Sequence, residues 1–379
     1  MLAITNGKII TADEILVGKA VVFTDTVQSI VDETSIPKDA QVLDASGGYV
    51  CPGLIELHLH GYLGRDVCDA SEESIRIISK GLVENGVTGY LPTTMTIDLG
   101  IVERAIDVCR TLMKEADPEG SVILGVHAEG PFISESKKGA QDPKYILKPD
   151  AAFARRNADV IRLITLAPEE DGEDFAEIRK MADMGVVVSM GHTSASYETA
   201  MASTKAGVKH TTHLFNAMTP LTHRAPGVVG AALSSDISCE LIVDGRHVNP
   251  ALFELVYKLK GRKLCAITDC LPAGGLPEGE YTLGGAKIIY KDNLCYLADG
   301  VTIAGSVLRL NKGVWNIYQN SSIPLNECVN CASLNPATTL GIADKKGSIA
   351  VGKDADLVIL DNEFNVKTTI IGGKIKYEA

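Results

Sequence analysis

Along the chain the hydrophobic residues change rhythm twice. Up to about residue 50 they come in short runs broken by turns: LAITNGKIIT, KAVVFTD, VQSIVDE and AQVLDASGGYVCPG. No 3.6-residue period is sustained, and the pattern predicts short strands. The last stretch, GSIAVGKDADLVILDNEFNVKTTIIGGKIKYE, has the same texture. Two strand-rich ends around a different middle are explained if both termini pair into one small β-sandwich domain. The expected division is residues 1–52 with 343–379, interrupted by a larger unit over 53–342.

The middle alternates. Apolar strand-like runs end near Glu56–His60, Gly89–Thr94, Val122–His127, Ile161–Ala167, Val186–Gly191, His210–Phe215, Cys239–Val243 and Cys265–Thr268. Helical periods are read over Glu72–Asn85, Ile101–Ala116, Phe175–Met184, Ala195–Ala206 and Pro250–Lys260. Alternating β and α segments favour a parallel sheet with helices outside. Eight such units predict an α/β fold of the (β/α)8, TIM-like barrel type. A doubly wound open sheet is the alternative, but no glycine-rich dinucleotide loop follows the first strand. The helix-rich Leu308–Leu340 segment is expected to continue outside the barrel wall.

A barrel gathers its chemistry at the carboxyl ends of its strands. The polar residues that punctuate the runs fall there: His58, His60, His127, Glu129, His192, His213, His247 and Asp269. Residues i and i+2 of a strand share a face, so His58 and His60 project together. One such histidine alone reads as a core residue with hydrogen-bond partners. The pair, with a carboxylate and more histidines at other strand ends, favours a metal ion. Glu129 ends the strand of GVHAEGPF. His127, two residues earlier and deeper, is a ligand or a support for one. His210 and His213 in HTTHLFNAM face opposite ways, and His213, nearer the strand end, is chosen for the mouth. Asp269 in AITDCLPAGG can take and return a proton beside a metal. Thr193 and Ser194 are candidate helix starters. Arg246 and His247 follow strand seven, and His223 and Arg224 lie on a glycine-containing loop. An arginine fork suits a phosphate or carboxylate, although a loop arginine alone is usually a solvated surface group.

Composition narrows the classes. The chain has 379 residues with 45% hydrophobic and 22% charged, ordinary for a globular protein with a large core. A net charge of −12 disfavours nucleic acid or an anionic membrane surface as partners, without excluding a small anionic substrate. The amino terminus, MLAITNGKIITADE, has no secretory pattern and no run reaches membrane-span length. Nine scattered cysteines argue against a disulfide framework and for a reducing, cytoplasmic setting. Cys328 and Cys331 form a lone CxxC, read as helical neighbours.

PGLIELHLHG, the polar residues at the other strand ends, Asp269 and the closing GKDADLVIL together resemble the amidohydrolase superfamily. More narrowly, HAEGPF, KKGAQ, GHTSA, THLFNAM, HRAPGVVG, DGRHV, TDCLPAGG and DGVTIAGS occur in order along the whole chain. They are similar to those of the N-acetylglucosamine-6-phosphate deacetylase family. The resemblance implies one divalent ion, zinc or iron among the options, on Glu129, His192 and His213. It implies Asp269 as proton carrier and His247 as the group that polarises the acetamide carbonyl. Substrate contacts carry over to Ala140, Gln141, Asn216, Ala217, Arg224 (the phosphate), His247 and the Ile303, Ala304, Gly305 loop. Some members have histidine where this chain has Gln141. Members that keep the HxH pair can hold a second ion, bridged by the glutamate, and this chain keeps His58 and His60. The family also implies a small-molecule amino-sugar phosphate as partner and a homodimer. Three rival readings are an N-acetylgalactosamine-6-phosphate deacetylase, a hydantoinase- or dihydroorotase-like enzyme, and an inactive scaffold. The second needs a carbamylated lysine that LITLAPEED does not supply. The third is hard to reconcile with an intact ligand set and acid.

Overall fold

In the computed structural model, which describes residues 1–115 and 118–379, the apolar runs of the middle become eight strands. They are Leu54–Leu59 (β1), Val87–Thr94 (β2), Val126–Glu129 (β3), Ile161–Leu166 (β4), Val187–Met190 (β5), Val208–Thr211 (β6), Cys239–Ile242 (β7) and Leu264–Ile267 (β8). Nearly every residue in them is buried, as parallel strands covered by helices require. Strands β1 to β6 pair in chain order and β7 pairs with β8, all in parallel. Two seams close the ring. Thr211 N donates to Ser238 O and Leu214 N to Glu240 O, joining β6 to β7. Asp269 N donates to His58 O, and Leu59 and Cys270 form a parallel bridge, joining β8 to β1.

Leu91, Leu163, Ile242, Cys265 and Ile267 belong to one buried cluster. Side chains from non-adjacent strands meet only across the interior, so the barrel is filled below its mouth. The helices follow their predicted periods to within a few residues, most with trimmed ends and the second starting at Leu99, ahead of the expected Ile101: Glu72–Leu82, Leu99–Leu112, Ala176–Asp183, Tyr197–Ala206 and Phe253–Lys260. The expected helix end at Ala116 lies outside the described residues. The helix after β5 starts at Tyr197, with Ser196 accepting from Thr199 N as its cap. Thr193 and Ser194 are not its starters, because both donate to Glu169, at 2.5 and 2.9 Å.

The termini form the sandwich. One sheet of six strands runs Lys374–Glu378, Val366–Ile371, Leu357–Leu360, Tyr49–Pro52, Lys8–Ile10, Ile15–Leu16, interleaving both ends of the chain. A second holds Val27–Asp32, Lys19–Phe23, Leu2–Thr5 and Gln41–Asp44. Ile4, Val21 and Phe23 of one pack with Ile9, Val50, Leu357 and Ile370 of the other in a separate core. Between β8 and the next helix, Leu310–Gln319, the chain adds a three-stranded antiparallel sheet, Gly279–Leu283, Ala286–Lys291 and Leu294–Leu297. The sequence reading does not include it, although its turns at Gly284–Gly285 and Asp292–Asn293 are ordinary hairpin signals. Among the described residues no helix is long and apolar enough to cross a membrane.

Candidate active site

Glu129 closes β3, and His192 and His213 stand just past β5 and β6. The structure brings the three together. Glu129 Oε1 lies 3.2 Å from His192 Nε2 and 3.1 Å from His213 Nε2, and the two Nε2 atoms are 3.1 Å apart. From β1, His58 Nε2 approaches Glu129 Oε1 at 3.3 Å and His60 Nε2 approaches Oε2 at 3.3 Å. Asp269, past β8, sets Oδ1 3.4 Å from His60 Nε2 and 3.6 Å from His58 Nε2. Two donor sets result at the mouth, Glu129/His192/His213 and His58/His60/Asp269, and a third group, His58/His127/Glu240, lies beneath them. His192, His213 and Asp269 carry positive φ, 47°, 29° and 51°. Such backbone is rare outside glycine and is held only where the surrounding structure enforces it, commonly at functional sites.

The donors fit a divalent metal ion on chemical grounds. His192 Nδ1 faces Lys137 O at 2.8 Å and His60 Nδ1 faces Thr93 O at 3.2 Å. A carbonyl accepts only, so each ring keeps its proton on Nδ1 and turns a lone pair at Nε2 inward. Several lone pairs and a carboxylate converging in a buried space repel one another unless a cation sits among them. The field has that sign. Burial works against charge on His58, but Glu129, Glu240 and Asp269 outweigh it and raise its pKa well above the ordinary value. Burial also works against charge on Glu129, yet His192 and His58 hold it well below the usual carboxylate range. A site that stabilises a proton this strongly stabilises a metal cation in its place.

Beneath the donors lies a buried polar layer that the sequence reading covers only partly. His127 gives both nitrogens to hydrogen bonds, with Leu57 O at 3.1 Å and Thr165 Oγ1 at 2.7 Å. Burial and the nearby His58 push it down to about 3, so it is a neutral support. His210 lies away from the mouth, between Ser238 Oγ at 2.6 Å and Glu240 Oε1 at 3.3 Å. Glu240 is fully buried on β7 and was not singled out by pattern. The same holds for Glu56, which accepts from His58 N at 3.0 Å and whose pKa burial pushes up to about 8. Asp244, also missed, sets Oδ2 2.7 Å from His247 Nδ1.

Above the donors opens a cavity of about 350 Å³. It is lined by Ala140, Gln141, Asn216, Ala217, His247, Asp269, Ile303, Ala304 and Gly305, together with Met95 and Leu283. Gln141 Nε2 donates to Glu129 Oε2 at 2.6 Å and its Oε1 accepts from Thr96 N at 2.7 Å, so it braces the carboxylate. Arg224 is not brought into this cavity. It is exposed beside His223 Nε2, 2.6 Å away, and lines a separate hollow with Ser196, Tyr197 and Pro226. The cationic residues that line the cavity itself are Lys137 and Arg246. Cys328 and Cys331 are buried and unpaired at the helix Leu325–Asn330, away from the donor sets.

The amidohydrolase family model matches residues 49–376. The chain is 38% identical to the N-acetylglucosamine-6-phosphate deacetylase of Bacillus subtilis (strain 168), covering 99% of this chain and 97% of that one. A crystal structure of the same-named protein from Pasteurella multocida superposes with a TM-score of 0.94 at 35% identity, covering 100% of both chains. A mutant of the Mycobacterium smegmatis enzyme, in complex with N-acetyl-D-glucosamine-6-phosphate, gives 0.91 at 29% identity, covering 99% of each. Likeness of this extent, laid over donor sets at the barrel mouth, shows that the chain belongs to the amidohydrolase family and, within it, to the N-acetylglucosamine-6-phosphate deacetylases.

Proposed function

We infer that the protein is a metal-dependent hydrolase that removes the acetyl group of N-acetylglucosamine 6-phosphate, releasing acetate and glucosamine 6-phosphate in amino-sugar metabolism. The observation that carries this reading is the convergence of Glu129, His192 and His213 beside Asp269 and His247 in one cavity. Glu129, His192 and His213 would hold the ion, and His58 and His60, which also approach Glu129, would offer donors for a second. Zinc and iron both suit such a mixed N/O set. When bound, the metal supplies an acidified water and polarises the amide carbonyl.

The chain's own residues do the rest. Asp269, facing both the donor cluster and the cavity, takes the proton of the attacking water and passes it to the leaving nitrogen. His247 gives Nδ1–H to Asp244, and as the imidazolium it also carries an Nε2–H for the carbonyl oxygen as charge develops there. Ala140, Gln141, Asn216, Ala217 and Ile303–Gly305 surround the sugar and hold it in register.

Arg224 is the phosphate partner in this reading. Because it lies outside the cavity of its own chain, it serves through movement of its loop or from the second copy of a homodimer. Nine unpaired, buried cysteines support a reducing compartment, the cytoplasm. The test is acetate release from N-acetylglucosamine 6-phosphate by the purified protein, with elemental analysis of the same sample. Acetate release that survives complete removal of the metal would overturn the reading, as would none from the metal-loaded protein.

A further inference from the structure

Of the four histidines around Glu129, three have Nδ1 fixed by an acceptor. For His192 and His60 the acceptor is a backbone carbonyl. For His58 it is a carboxylate, Glu240 Oε2, at 3.0 Å. His213 Nδ1 has no partner, but its backbone N–H donates to that same Oε2 at 3.1 Å. The other oxygen, Oε1, faces His210 Nε2 at 3.3 Å. One fully buried acid therefore touches a ligand of each donor set and a third histidine behind them.

A buried carboxylate is costly, and a strand whose side chain only had to fill space would carry an apolar residue. Here the charge meets the imidazoles of His58 and His210 and the backbone N–H of His213; the far nitrogen of His58 faces the cation positions and that of His210 faces Ser238. A carboxylate behind a ligating imidazole fixes its tautomer, orients the ring and makes its lone pair more basic. The main-chain bond to His213 acts differently. It holds a residue at φ 29°, so the backbone that delivers His213 depends on the acid that orients His58.

We propose that Glu240 is a positioning residue that couples the two cation positions, strengthening His58 as a ligand of the second while fixing the backbone of His213 in the first. This rests on the metal-site reading above. It assigns Glu240 no contact with substrate and no proton transfer.

The substitution Glu240→Gln separates charge from geometry. The glutamine oxygen can accept from both His58 Nδ1–H and His213 N–H. Its NH2 can donate to His210 Nε2 once that ring moves its proton to Nδ1, where the Ser238 hydroxyl accepts it. The hydrogen bonds survive and the charge leaves. The measurement is zinc binding by the full chain, titrated against a competing chelator with zinc counted by elemental analysis, together with the melting temperature of the metal-free protein. The wild type is expected to bind two zinc ions per chain, and His58→Ala one. In Glu240→Gln one ion should bind about 10–100-fold more weakly and the other nearly as in the wild type, with an unchanged metal-free melting temperature. A merely structural role would lower the melting temperature and leave the difference between the two positions unchanged. Unaltered affinity at both positions in Glu240→Gln would overturn the inference alone. A wild type that binds a single zinc would also overturn it while leaving the one-metal deacetylase reading standing. A wild type that binds none would remove both.

Discussion

Asp244 Oδ2 lies 2.7 Å from His247 Nδ1, with both side chains less than a tenth exposed where β7 opens into the cavity. The same aspartate accepts from the backbone N–H of Arg246 and of His247, so its position is fixed from three directions. An ionised carboxylate at Nδ1 keeps a proton there. His247 can then donate from Nε2 only as the imidazolium. Burial alone would suppress that charge, but the bond to Asp244, its charge and that of Asp269 outweigh burial and raise the pKa of His247 above the ordinary value.

If His247 polarises the carbonyl from Nε2–H, the active form is the protonated one, so it persists to a higher pH than a free histidine allows, and turnover is lost as pH rises through the shifted value. Asp244→Asn removes the charge and leaves burial unopposed. The basic limb of the kcat profile should move to lower pH, so that the variant loses more activity at pH 8 than at pH 6. Parallel profiles for both proteins would refute the imidazolium role.

Asp269→Asn tests the proton carrier. An amide there keeps shape and loses basicity, so turnover should fall about 100- to 10,000-fold. Asp269 is not among Glu129, His192 and His213, and the ion on that set should remain. Elemental analysis beside kcat separates the outcomes. Near-normal turnover in the variant would place the proton transfer elsewhere.

The barrel was legible because parallel strands are buried on both faces and so read as unbroken apolar runs, with the chemistry confined to their ends. HxH was legible because the strand repeat of two puts both rings on one face. The choice of His213 over His210 rested on its place nearer the strand end, and His213 indeed stands just past the strand that ends at Thr211. Glu240 was not legible. A single acid in CELIV reads as one more solvent-facing position, and its partner His58 is 182 residues away in the chain. Asp244 hid for a similar reason: DGR looks like a turn, which it also is. The sheet at Gly279–Leu297 was missed although its turn signals were present. Arg224 marks a different limit, since a motif carries residue identity and not the location of a loop relative to a cavity.

Arg224 and Arg246 therefore compete for the phosphate. A charge-assisted hydrogen bond contributes about 1.5–3 kcal/mol, or roughly 10- to 100-fold in affinity. Arg224→Ala is expected to raise KM by that factor for N-acetylglucosamine 6-phosphate and to change hydrolysis of unphosphorylated N-acetylglucosamine little. Steady-state kinetics on both sugars reads this directly. A silent Arg224→Ala beside an impaired Arg246→Ala would hand the phosphate to the arginine that already lines the cavity.

Glu56 gives a prediction about stability. It sits on β1, fully buried, and its oxygens accept from the backbone N–H of His58 and Thr268. Burial outweighs those bonds and pushes its pKa up to about 8, whereas an unfolded chain ionises its glutamates near pH 4.3. Between these values the folded state keeps a proton that the unfolded state has released. Stability from this group therefore falls as pH rises through that window and levels off above pH 8. Glu56→Gln keeps an acceptor for both backbone donors and cannot ionise. The melting temperature of the variant relative to the wild type should rise from pH 5 to pH 8, measured on metal-free protein so that ion affinity does not contribute. A difference that stays flat over that range would mean Glu56 is already ionised in the fold, its charge balanced by the histidines above it.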